Sequence, residues 1–149
     1  MLLHEVFTRV LPWAWNKEES RSGYAEANFG VGNQRYTVTF MEYVGYDEPT
    51  EQGDVPGWVV DFGLDTDDYD KRFGINRAGN ATTVFATVID IITDFINQHS
   101  GSLDLHFSAD EPSRRSLYRA MIKRMGLEKY TSVCGINVEQ YTVRIRKKG

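Results

Sequence analysis

The chain has 149 residues, a net charge of -4, 41% hydrophobic and 26% charged residues, and a single cysteine, Cys134. That is enough for one soluble domain with its own core and too little for two of ordinary size. An internal disulfide and a thiolate zinc set are excluded, as is an apolar run of membrane-spanning length.

Residues 2–11 carry Leu3, Val6, Phe7, Val10 and Leu11 at helical spacing and stop at Pro12, which predicts an amphipathic helix. Glu5 and Arg9 interrupt this stretch and no small-residue cleavage site follows, so it does not read as a signal peptide. Together with the lone cysteine, this places the expected protein in a reducing cytoplasm. Trp13 and Trp15 follow, expected to pack as a lid on the sheet. Ala25, Ala27, Phe29 and Val31 alternate with polar residues, and Gly32-Asn33 turns into a second strand with Tyr36, Val38 and Phe40 on one face. Gly45 to Gly57 has the prolines, glycines and acids of an exposed loop, and Trp58–Leu64 forms a third strand. Phe73–Ile75 reads as a short fourth strand that runs into a glycine turn.

That turn opens into the longest amphipathic segment. Ala81, Val84, Phe85, Val88, Ile91, Ile92, Phe95 and Ile96 make one apolar stripe at helical spacing. Before it, Arg77, Ala78, Gly79, Asn80 and Ala81 offer small side chains and free N–H groups. A helix N-terminus leaves its first donors unpaired and carries partial positive charge, so this strand–turn–helix junction can hold an anion such as a phosphate. Two plainer roles compete: Gly79 permits a positive φ, and Asn80 or Thr82 caps the helix. Leu103, Leu105 and Phe107 then alternate as a fifth strand. Asp110, Glu111 and Pro112 start a second helix with Leu117, Tyr118, Met121, Ile122 and Met125 inward, which ends at Gly126. A pair over 129–134 and 138–146 closes the sheet around Cys134-Gly135. The expected fold is α/β (α+β), one domain over 1–149, with a mixed, mostly antiparallel sheet and two or three flanking helices.

Charge is unevenly distributed. Every charged residue from Glu42 to Asp70 is acidic, whereas Arg114, Arg115, Arg119, Lys123, Arg124, Lys129, Arg144, Arg146, Lys147 and Lys148 dominate after Pro112. Such polarity steers charged partners or marks two solvated faces. A salt-dependent nucleic-acid binder is ordinarily more basic overall, so the arginines of the second helix read as a solvated face. Asp65, Asp67, Asp68 and Asp70 lack the glycine and distal glutamate of a calcium loop. His4, His99 and His106 have no i, i+4 partner, and no metal site is expected.

The element order and two motifs resemble the GNAT N-acetyltransferase fold. Its pyrophosphate turn, Gln/Arg-x-x-Gly-x-Gly/Ala, matches Asn76-Arg77-Ala78-Gly79-Asn80-Ala81, with Asn76 in place of Gln or Arg. Its second signature, Asn-x-x-Ala-x-x-Leu-Tyr-x-x-x-Gly-Phe, matches at Leu117-Tyr118, with Glu111 for Asn, Arg114 for Ala, and the glycine four residues late at Gly126. The phrases GNATTVFATVIDIITDFI and FSADEPSRRSLYRAMIKRM are also similar to small GNAT-like proteins of tailed bacteriophages. The resemblance implies acetyl-CoA held by Asn76–Thr82, its thioester in the splay between the fourth and fifth strands, and an amine acceptor. Tyr118 stands at the family's general acid, with Asp61, Glu42 or a water relayed by Ser108 as base. It equally admits a non-catalytic phage protein in the host cytoplasm, acting on a host protein or the virion.

Overall fold

The computed structural model describes residues 10–43, 55–64, 81–109, 112–135 and 139–147. Over these residues the fold is mixed α+β. Seven strands run β1 (Trp13–Trp15), β2 (Tyr24–Val31), β3 (Gln34–Tyr43), β4 (Gly57–Leu64), β5 (Leu103–Ala109), β6 (Thr131–Cys134) and β7 (Glu139–Ile145). The helices are α1 (Ala81–Gln98), between β4 and β5, and α2 (Pro112–Arg124), after β5. The sheet order is β1-β2-β3-β4-β5-β7-β6. The registers of β1–β2, β5–β7 and β6–β7 are antiparallel, and that of β4–β5 is parallel. Two compact units divide the chain: Met1–Thr39 with Phe62–Phe95, and Phe40–Asp61 with Ile96–Gly149.

In the first unit the apolar alternation of β2 and β3 behaves as expected, with Ala27, Phe29, Tyr36 and Val38 buried. The Phe29 and Tyr36 rings stack at 5.2 Å with an interplanar angle of 8°. The two-residue connection at Gly32-Asn33 needs a left-handed backbone, and Gly32 has φ 58°. Helix α1 spans 18 residues and buries Val84, Val88, Ile91, Ile92 and Phe95 along its stripe.

The tryptophans are not a lid laid on the sheet. They form a strand of it, Trp13 opposite Phe29 and Trp15 opposite Ala27. This strand is tied to α1 by a polar ladder. Leu11 N–H donates to Thr87 Oγ1 at 3.0 Å, Trp13 Nε1 to Asp90 Oδ2 at 2.8 Å, and Trp15 Nε1 to Asp94 Oδ2 at 2.9 Å. Two strand residues advance about 6.6 Å and four helical residues about 6 Å, so the spacings of Trp-x-Trp and Asp-x-x-x-Asp match. Of the expected N-terminal helix, residues 2–9 lie outside the described residues, while Val10 and Leu11 are non-helical. The expected strand at 73–75 also lies outside them, and Gly57–Leu64 is the fourth strand in order.

In the second unit Leu103, Leu105, Phe107 and Ala109 of β5 and Tyr141 and Val143 of β7 are buried, with Tyr118, Met121 and Ile122 of α2. Helix α2 ends in a glycine-dependent cap. Gly126 has φ 72°, its N–H meets Lys123 O at 3.0 Å, and Leu127 N–H meets Ile122 O at 3.0 Å. At the end of α1, Lys147 Nζ donates to Ile96 O and His99 O, placing a cation on the negative end of the helix. Among the described residues no helix is long and apolar enough to cross a membrane.

Candidate functional site

Three pieces of structure bear on the site expected from the sequence. The first is the start of α1. Asn76, Arg77, Ala78, Gly79 and Asn80 lie outside the described residues, whereas Ala81 and Thr82 open the helix. The first turn of α1 carries no acidic residue, so nothing in it neutralises the partial positive charge of its N-terminus.

The second piece is the junction of β4 and β5. The parallel register pairs Gly57 with Asp104, Trp58 with Leu105 and Val59 with His106. It goes no further, although Val60 and Asp61 continue β4 and Phe107 and Ser108 continue β5. A parallel register that covers only part of both strands marks where the two can part. Of the base candidates on these strands, Asp61 is half-buried and Ser108 exposed; Glu42, on β3, is exposed.

The third piece is α2. Tyr118 is only 1% exposed. Its ring lies 5.2 Å from Phe107 and 6.2 Å from Tyr141, and the Arg114 guanidinium sits 5.9 Å from its centroid. Beside it, Leu105, Met121 and Val143 help line an enclosed apolar void of about 10 Å³, about the least that one water needs. Tyr118 is therefore a core residue in geometry. Arg114 also departs from the solvated helix face expected of it, being 6% exposed.

One residue along, the helix presents a polar network that the sequence did not reveal. Arg119 donates through Nη2 to both oxygens of Glu139, at 3.0 and 2.8 Å, and through Nε to Glu139 Oε2 at 3.2 Å. Tyr141 O–H donates to the same Glu139 oxygen and accepts from Arg119 Nε at 3.4 Å. Arg119, Tyr141, Ile122, Val133, Glu128 and Thr131 line an open cleft of about 260 Å³. Glu139 and Tyr141 share a β7 face by simple alternation, which is legible; their meeting with Arg119, 20 residues away, is not.

The network has a pH signature. The Tyr141 hydroxyl and the Arg119 guanidinium hold Glu139 below its ordinary 4.5. Burial and the Glu139 carboxylate raise Tyr141 above 10.0. Glu139 therefore contributes stability above pH 4.5 that is lost as pH falls through its depressed value, and Tyr141 contributes stability below pH 10.0 that is lost at higher pH. The melting-temperature gap between wild type and Glu139→Gln should be widest near neutrality and close on acidification. A gap unchanged from neutral to strongly acidic pH would remove the carboxylate from this role.

Elsewhere, His106 Nδ1 and Thr142 Oγ1 lie 3.2 Å apart. Among the described residues no three His, Cys, Asp or Glu side chains converge as metal ligands. A family of unknown function, DUF6934, matches residues 49–148. The chain belongs to this family. No curated protein and no solved structure matches it. The DUF6934 span takes in β4 through β7 and both helices, and hence the α1 start, the β4–β5 junction and the Arg119 network.

Proposed function

We propose that this DUF6934 chain is a GNAT-like acyl-CoA-binding protein, with the cofactor's pyrophosphate on the turn and helix start at Asn76–Thr82. The observation that carries the reading is the parallel β4–β5 pair whose bonding stops at Val59–His106 while both strands continue. A GNAT scaffold uses such a divergence to receive a thioester; the resemblance sets it between the strand expected at 73–75, outside the described residues, and the fifth strand, whereas the pair that diverges here is formed by the preceding strand, β4, with β5. The acid-free first turn of α1 suits a diphosphate. When bound, acetyl-CoA would supply the acetyl group for transfer to an amine. The chain's own share would be to bind, orient and exclude water.

Calorimetry with acetyl-CoA tests the reading. Wild type should bind, and Gly79→Glu should weaken binding about tenfold or more, because a carboxylate would stand where the diphosphate is received, a change of about 1.4 kcal/mol. No binding by wild type would end the proposal, and binding indifferent to Gly79→Glu would move the ligand away from α1.

A second reading is a non-catalytic GNAT-like phage protein directed at a host protein or the virion. The burial of Tyr118 favours it, because a general acid must reach the departing thiolate. Thiol release from acetyl-CoA with amine acceptors, measured on the same protein, separates the two: sustained turnover would exclude the non-catalytic version.

A further inference from the structure

A second open cleft, of about 340 Å³, lies at the β6–β7 end of the sheet, lined by Lys129, Tyr130, Thr131, Ser132, Arg144 and Arg146. Among the described residues no acidic side chain lines it. Tyr130 is 54% exposed, an unusual position for a ring of that size. Arg144 donates through Nη1 to the Ser132 hydroxyl at 2.6 Å, a neutral partner, and stands opposite Asp104 in the β5–β7 register. Arg146 is paired with Asp104 at 2.8 Å, so this carboxylate is engaged and offsets one of the three cations. Glu128, next along the chain, lines the Arg119 cleft.

Exposed cations beside an exposed aromatic ring are what single-stranded nucleic acid requires: phosphates take the charges and a base stacks on the ring. We propose that this cleft binds single-stranded nucleic acid, with one base on Tyr130 and flanking phosphates on Lys129 and Arg144. At physiological ionic strength the Debye length is about 8 Å, so the charges nearest the cleft weigh more than the net charge of the chain. Duplex fits less well, because its base faces are already stacked. The volume is at the small end of ligand pockets, roughly 300–1,000 Å³, which suits one nucleotide of a strand passing through an open groove.

Fluorescence anisotropy of a labelled oligothymidylate in low salt, with full-length protein, tests the proposal. Binding should weaken with salt at a log–log slope of about −1.4 for two phosphate contacts. Tyr130→Ala should weaken it about tenfold, Arg144→Gln should reduce the slope by about 0.7, and Lys129→Glu with Arg144→Glu should abolish it. All three substituted positions, Lys129, Tyr130 and Arg144, line the cleft, and wild-type melting temperatures in the variants verify folding; should the double reversal fail to fold, Lys129→Gln with Arg144→Gln replaces it. No binding in low salt, or binding unchanged by these variants, overturns the proposal. So does equal affinity for the duplex, and displacement by thymidine monophosphate at matched nucleotide concentration would assign the cleft to free nucleotides instead.

Discussion

Tyr118→Ala should destabilise the protein by about 3–5 kcal/mol, the range for removing a buried aromatic ring, whereas Tyr118→Phe should cost at most about 1.5 kcal/mol. The ring is packed against Phe107 and Tyr141 and sits beside the enclosed void, so truncation enlarges a cavity that little can refill. Urea unfolding reads both values. The Phe variant also decides the chemistry. A stable Tyr118→Phe protein that loses acetyl transfer by about 10²-fold or more would put the phenol at the reacting atoms. One that keeps its acetyl-CoA binding and whatever transfer the wild type shows would fix Tyr118 as packing alone.

The second large effect is expected in β1. Trp15→Ala should cost about 3 kcal/mol, the low end for tryptophan because the side chain is only half-buried. In a chain of this size that lowers the melting temperature by roughly 6–12 °C. The loss combines the contact with Phe95, whose ring lies 6.3 Å away, and the bond to Asp94. A loss below about 1 kcal/mol would mean that β1 rests on its pairing with β2 and owes little to α1.

The contrast between these two regions explains what the residues disclosed in advance. The alternation in β2, β3 and β5 and the stripe of α1 are local patterns, and burial at Phe29, Val38, Leu105 and Ile92 follows them. Gly126 likewise announced the end of α2 through its left-handed φ. Strand β1 did not announce itself: three residues after a proline hold too little periodicity, and its strand state comes from Phe29, Asp90 and Asp94 far along the chain. Arg114 was equally opaque, since an arginine in a basic helical run signals solvent unless a ring such as that of Tyr118 lies beneath it. The strand expected at 73–75 and the phosphate turn at 76–80 lie outside the described residues. The Arg119–Glu139–Tyr141 cluster and the Lys129–Arg144 cleft depend on strand register, which no local pattern specifies.

The ladder from Leu11, Trp13 and Trp15 to Thr87, Asp90 and Asp94 also orders assembly in time. Its links close loops of 76, 77 and 79 residues, so β1 has no helix to grip until α1 has formed. A three-residue edge strand held in this way is also the first piece to detach during native-state fluctuations. Its departure would bare the backbone of β2, turning an internal strand into an open template for other chains. By holding Trp13 and Trp15, Asp90 and Asp94 help keep that template covered.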